Sequence, residues 1–229
     1  MLIKIAAKIG YGLLIFMVTA ELMVLSLRWI DPPMWSWRLH RSVYPPSSYP
    51  EDVAHQWRNL NAISPSMVLA VVAAEDQRFP QHWGVDYSAI LTAFKNNQQG
   101  GKLRGASTIT QQTAKNLWLW PAQSYWRKAF EAGFSLLLEL NLPKQRILEI
   151  YLNVAEFGPG IYGVEAASKH YFKQPAARLS HYQSASLAAL LPSPYRYSLW
   201  PKTPYMQKRV TWIQQQMRQL GGAYLSFIK

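Results

Sequence analysis

The sequence predicts a mainly α protein: a helical globular domain behind a single N-terminal transmembrane helix. Residues 9–27, IGYGLLIFMVTAELMVLSL, form an apolar run about as long as a helix needs to cross a bilayer core. Downstream, apolar residues recur at helical spacing between capping and proline signals. No stretch alternates apolar and polar residues as a half-buried strand would, and no internal repeat is present.

Residues 1–30 are expected to hold a short cytoplasmic N-terminus and the anchor. Lys4 and Lys8 lie on the short side of the run, which places that side in the cytoplasm. Trp29, Trp35 and Trp37 follow it, as an interfacial aromatic belt would. Glu21 opposes insertion by roughly 2.5–3.5 kcal/mol, which the surrounding Leu, Ile, Val, Phe and Met residues offset. A signal peptide cleaved near Val18-Thr19-Ala20 is the alternative, but the apolar run continues past that point to Ile30, which favours an uncleaved anchor.

Residues 31–50 contain five prolines and read as a juxtamembrane linker. The remaining domain, 51–229, is helical almost throughout. Ser64 followed by Pro65 opens a helix over 65–76. Asp86 caps 87–97, and the glycine-rich NQQGGKLRG of 97–105 is a loop. Helices are predicted over 107–118, 125–141 and 143–154, then a GPGIYG turn leading into 162–172. Ser180 and Gln183 make a capping box for 180–191, and a last amphipathic helix over 203–220 stops at Gly221-Gly222.

Composition narrows the function. The chain has 229 residues, 49 % of them hydrophobic, so it is folded. Lys and Arg number 24 against 12 acids, for a net charge of +12, which suits an anionic partner: nucleic acid, anionic lipid or a phosphorylated substrate. The absence of Cys excludes disulfides and thiolate metal sites. No zinc-finger, Rossmann or P-loop spacing is present, and an anchor ahead of the domain argues against nucleic acid.

Three stretches carry chemistry-bearing residues. In VVAAEDQRFPQHWG, Glu75 ends an apolar helix beside Asp76. Helix-terminal carbonyls, apolar neighbours and a like charge all raise the pKa of such an acid, as general acid or base work near neutrality requires. The alternative is a pair of acids marking the helix exit to solvent, with His82 a structural histidine. In GASTITQQTAKN, Thr108, Gln111, Gln112 and Lys115 share one helical face. Ser107 and Thr108 stand at its N-terminus after Gly105, a cradle suited to phosphate. The alternative is a solvated face with a capping serine. In RKAFEAGFSLLLEL, Arg127, Lys128 and Glu131 lie together while Trp126, Phe130, Phe134 and Leu137 point into a core. The alternative is a surface ion pair.

Taken in order, these motifs resemble those of the glycosyltransferase family that polymerises lipid II into peptidoglycan. Glu75, Asp76, Phe79, His82 and Gly84 match its first motif. Gly105, Ser107, Thr108, Ile109, Gln111, Gln112, Lys115 and Asn116 match its second, and Arg127, Lys128 and Glu131 its third. Ile147, Leu148, Glu149, Tyr151, Leu152 and Asn153 correspond to the fourth, and LAALLPSP at 187–194 to the last, so that the resemblance spans about 53–221. It implies a lysozyme-like, two-lobed helical domain. No penicillin-binding transpeptidase segment follows in this sequence, so a monofunctional enzyme is expected.

The resemblance also implies roles. Glu75 is the general base on the acceptor 4-hydroxyl, and Glu131 stands near the donor diphosphate. Thr108, Gln112, Lys115, Arg127 and Lys128 bind substrate. Asp76, Phe79, His82, Ser107 and Asn116 hold the motifs in position. No tightly bound cofactor is implied, although a divalent cation, Mg2+ or Mn2+, at the diphosphate is compatible with the family. The implied partners are lipid II, the nascent glycan strand, the membrane, and proteins of cell wall synthesis or division. The implied location is the bacterial inner membrane, single-pass, with the domain on the periplasmic side. One position departs from many relatives: Gln123 stands where they carry an arginine that contacts diphosphate, and Arg127, or Lys102 and Arg104, would have to supply that charge. A glycan hydrolase with the same fold and a non-enzymatic basic membrane protein are the competing readings.

Overall fold

The computed structural model describes residues 2–47, 49–91, 107–122 and 124–228. The loop expected at 97–105, with Lys102, Arg104 and Gly105, lies outside the described residues, as does Gln123. Helix α1, Leu2–Ser26, contains a 20-residue apolar window, Ala7–Ser26, of which only 11 % is buried. A helix this long and this unburied is not a core helix of the domain. It touches the domain along one stripe, where Ala20, Val24 and Leu27 are buried, and Phe16 meets Phe130 edge-on at 6.2 Å. Arg146 ties its end down by donating to the carbonyls of Leu27 (2.7 Å) and Ile30 (3.1 Å), which lack intrahelical partners.

The proline-rich segment is not merely a linker. Residues Ser36–Val43 form helix α2, because the prolines flank the stretch SWRLHRSV and none lies inside it. Trp35, expected in an interfacial belt, is instead 2 % exposed and packs edge-on against His55 and Tyr162. Trp29 remains outside the core, at 72 % exposure.

Helix α3, Pro65–Glu75, is the central element. Ser64 caps it, accepting from the Ser66 amide, and every residue from Met67 to Ala73 is buried. A helix apolar on all sides must be surrounded, and α8 (His181–Ala188) and α9 (Pro204–Leu220) pack on it and on each other. A second group forms around α4 (Ile109–Trp118), which packs on α2, α5 (Tyr125–Asn141) and α6 (Lys144–Val154). These are the two lobes, and α3 points its C-terminus at their junction.

The described chain also holds helix α7, Val164–Phe172, helical residues 87–91, short 3-10 turns and a small sheet, and the rest of the helix expected over 87–97 lies outside the described residues. The sheet corrects the expectation of no strands. Its order is β1 (Ala54–His55), β3 (Ile161–Tyr162), β2 (Glu156–Gly158), with β1 parallel and β2 antiparallel to β3. Strands of two and three residues are too short to display an alternating pattern. Most predicted helices start and stop within a few residues of the expected points. The capping box of Ser180 and Gln183 opens α8, which ends at Ala188 rather than 191, and Gly221 at φ 71° ends α9.

Candidate active site

Glu75 sits on the last turn of α3 with its side chain 11 % exposed. Gln112 Nε2 on α4 donates to its Oε2 at 3.0 Å, and Arg209 Nη2 on α9 lies 3.3 Å from its Oε1. Burial pushes its pKa above the usual carboxylate value, against the opposing pull of Gln112, Arg209 and Lys115. Asp76 adds the smallest contribution, so desolvation, not the neighbouring acid, is the dominant cause.

Asp76 turns inward. Its two oxygens lie 2.9 and 3.0 Å from His82 Nε2, and Oδ2 also accepts from the Ile109 amide at 2.9 Å. Ile109 is the first residue of α4, so the anion at this helix N-terminus is the Asp76 carboxylate itself. Asp76 thus takes the Ile109 amide of the cradle expected there, and the Thr108 hydroxyl takes that of Gln111. Phe79 is fully buried against His82, and Gly84, at φ 79°, sits where an added Cβ would come 3.0 Å from the Ser135 carbonyl. Only glycine fits both constraints.

Thr108 is corrected from substrate contact to structural cap. It is 2 % exposed, its hydroxyl donates to Gly84 O at 2.5 Å, and it forms a capping box with Gln111. Gln111 thereby leaves the open face as well. Ser107 accepts from Lys128 Nζ at 3.4 Å. Asp76→Asn keeps the shape but weakens the bonds to His82 and Ile109, and should cost about 1–3 kcal/mol, measurable as a lower urea midpoint of the full chain in detergent.

Glu131 is not a surface ion-pair partner. It is 3 % exposed and takes Arg127 Nη1 at 2.6 Å and Lys128 Nζ on its two oxygens. Contrary to expectation, Trp126 is 80 % and Phe130 41 % exposed, and Glu131, Phe134, Ser135 and Leu138 form the buried stripe of α5. Both Glu131 oxygens are occupied, and among the described residues no three His, Asp or Glu side chains converge as metal ligands.

Lys115 joins the two acids. Burial lowers its pKa, Glu131 and Glu75 oppose that shift, and Arg127 and Lys128 add to it. Its ammonium lies over the Trp37 ring at 5.0 Å. Lys115, Gln112, Asn116 and Tyr151 line a cavity of about 390 Å3 with Trp37, Arg41 and Glu156 on its far side. Glu75 is one hydrogen bond from that wall. A larger cavity, about 840 Å3, lies at the end of α1 around Arg28 and Arg146, away from these acids, and Arg146 is spent there on backbone carbonyls, Asp31 and Glu149.

Arg209 and Tyr151 are the groups that sequence reasoning did not assign a role here. Arg209 reaches Glu75 across 134 positions from an ordinary amphipathic helix, so no local signal marks it. The Tyr151 hydroxyl donates to Gln112 Oε1 at 3.1 Å. The Nε atoms of Arg127 and Arg209 are buried without a partner among the described residues.

Comparison with known proteins follows the same outline. Residues 45–218 match the family model described as Transglycosylase. A protein of Shewanella oneidensis named biosynthetic peptidoglycan transglycosylase is 55 % identical over 219 residues, covering 96 % of this chain and 92 % of its own. One of the same name from Aeromonas hydrophila is 53 % identical over 97 % of this chain and 94 % of its own. Another, from Vibrio parahaemolyticus, is 49 % identical over 93 % of this chain and 94 % of its own.

Proposed function

The chain belongs to the transglycosylase family and is a glycosyltransferase of peptidoglycan synthesis, and from that premise we propose how its residues divide the reaction. The substrates are lipid II and the nascent strand on its lipid diphosphate. The 4-hydroxyl of the acceptor attacks the anomeric carbon of the donor. Glu75 takes the hydroxyl proton, a new β-1,4 bond forms as the bond to the diphosphate breaks, and the anomeric centre inverts from α to β. Lys115, Arg127 and Lys128 meet the charge that develops on the departing diphosphate. Glu131 holds Arg127 and Lys128 at that point rather than touching the reacting atoms.

The observation that supports this division is one half-buried lysine under the influence of two acids, Glu131 buried and Glu75 nearly so, beside a single cavity. A glycan hydrolase has no diphosphate to stabilise, and its acid would not need three cations beside it. The separating experiment incubates the full-length protein with labelled lipid II and, in parallel, with isolated sacculi. Glycan strands from lipid II with no fragments released from sacculi are expected; the reverse result would mark a hydrolase.

The helix Ala7–Ser26 is long and apolar enough to cross a membrane. We place its N-terminus in the cytoplasm and the domain on the periplasmic face of the inner membrane, where the lipid-linked substrate resides. Exposed Tyr125, Trp126, Leu136 and Leu140 on α5, the helix that touches α1, suit contact with the outer leaflet.

A further inference from the structure

Gln112 contacts Glu75 through its amide nitrogen and Tyr151 through its amide oxygen. Tyr151 is 1 % exposed, and its hydroxyl has no other hydrogen-bond partner among the described residues. We propose that Tyr151 is a positioning residue for the general base: its hydroxyl fixes the Gln112 amide in the orientation that donates to Glu75. The proposal rests on the reading of Glu75 as the base.

Hydrogen-bond satisfaction at the buried Tyr151 hydroxyl sets the orientation of the amide. In the observed orientation the phenol donates to the amide oxygen and the amide nitrogen donates to the carboxylate, so each contact pairs a donor with an acceptor. Reversing the amide would set its carbonyl against the Glu75 carboxylate and leave the phenol proton without an acceptor. Both losses would fall at a part-buried cavity wall, where an unmade hydrogen bond costs more than it does in open water. The other groups facing Glu75 are Arg209 from α9, Lys115 from α4 and the adjacent Asp76. Arg209 also hydrogen-bonds the carboxylate at 3.3 Å, the other two act on it by charge, and none of the three hydrogen-bonds the Gln112 amide among the described residues. Through its single hydroxyl, Tyr151 is, among the described residues, the partner that holds the amide oxygen away from the base. The consequence is catalytic: donation from the amide offsets part of the rise in pKa that burial imposes on the carboxyl.

Tyr151→Phe keeps the ring and frees the amide. The acid limb of the kcat/KM profile for lipid II polymerisation should then move up by about half a pH unit to one unit, with the rate on its alkaline side near that of the wild type. A residue that merely fills space would lower the rate at every pH and leave the limb in place, and that result would overturn the proposal. If Tyr151→Phe does not fold, Gln112→Met provides the second arm. It removes the amide, so the limb should rise at least as far, and an unmoved limb overturns the proposal equally. Where both fold, adding Tyr151→Phe to Gln112→Met should shift the limb no further, because the hydroxyl acts only through the amide, whereas additive shifts would contradict this. Glu75→Gln, run alongside, keeps the two readings apart. Wild-type turnover in that variant would remove the base itself; an inactive Glu75→Gln with an unmoved Tyr151→Phe limb would remove only the role of Tyr151.

Discussion

Glu75→Gln is expected to lower lipid II polymerisation by about 10²- to 10⁴-fold, the range a positioned general base contributes, while the protein stays folded. Glutamine keeps the size and polarity of the side chain beside Gln112 and Arg209 but cannot accept the acceptor's proton. Stability should not fall. Burial raises the Glu75 pKa in the folded state, so the folded protein holds that proton more tightly than the unfolded chain does. The stability contributed by this group is therefore lost as pH rises from the usual carboxylate range through the raised value. A neutral glutamine has no such loss, and the variant should melt at or above the wild-type temperature at neutral pH. Gel analysis of strands made from labelled lipid II, together with a thermal melt, checks both halves; an active variant, or one inactive only because it unfolds, would contradict the assignment.

Lys115→Met is expected to cost about 10²- to 10³-fold in turnover, the scale seen when one preorganised electrostatic contact to a developing charge is removed. Its thermodynamic signature is the mirror image. Burial lowers the Lys115 pKa, so between the folded and unfolded values the unfolded chain binds more protons and stability rises with pH. Holding this ammonium charged at neutral pH therefore works against folding, and methionine, of similar length and uncharged, relieves it. Single-turnover rates with preformed donor should fall while the melting temperature holds or rises. Two part-buried ionisable groups that turn out to be held at a cost to stability and needed for turnover would be the mark of a functional constraint, which a packing constraint does not produce.

Much of this arrangement was legible before any coordinates. The cap at Ser64-Pro65, the box at Ser180 and Gln183, and the glycine after residue 220 fix α3, α8 and α9 because local backbone groups demand those residues. The proximity of Glu75, Gln112 and Lys115 followed from motif order. What the sequence concealed was long-range. Arg209 and Tyr151 become site residues only when α9 and α6 pack around α3 and α4. Asp76 occupies the N-terminus of α4 from 33 positions away, and the Thr108 hydroxyl is engaged by the Gly84 carbonyl and the Gln111 amide. Helix α2 was hidden by its flanking prolines, although it carries Trp37 to the Lys115 ammonium. Burial of Glu131, rather than of Trp126, also needed the packing of α5 on α4 to be known.

The claim at the centre is that proton removal and leaving-group stabilisation are done by different side chains around one cleft. Equilibrium binding of a non-reactive polyprenyl diphosphate disaccharide to Glu75→Gln and Lys115→Met, at one pH and ionic strength, tests it directly. Glu75→Gln should bind as the wild type does, and Lys115→Met should bind at least about tenfold more weakly, a difference near 1.4 kcal/mol. Equal losses of affinity in the two variants, or a loss in Glu75→Gln alone, would show that the charges do not divide the work in this way.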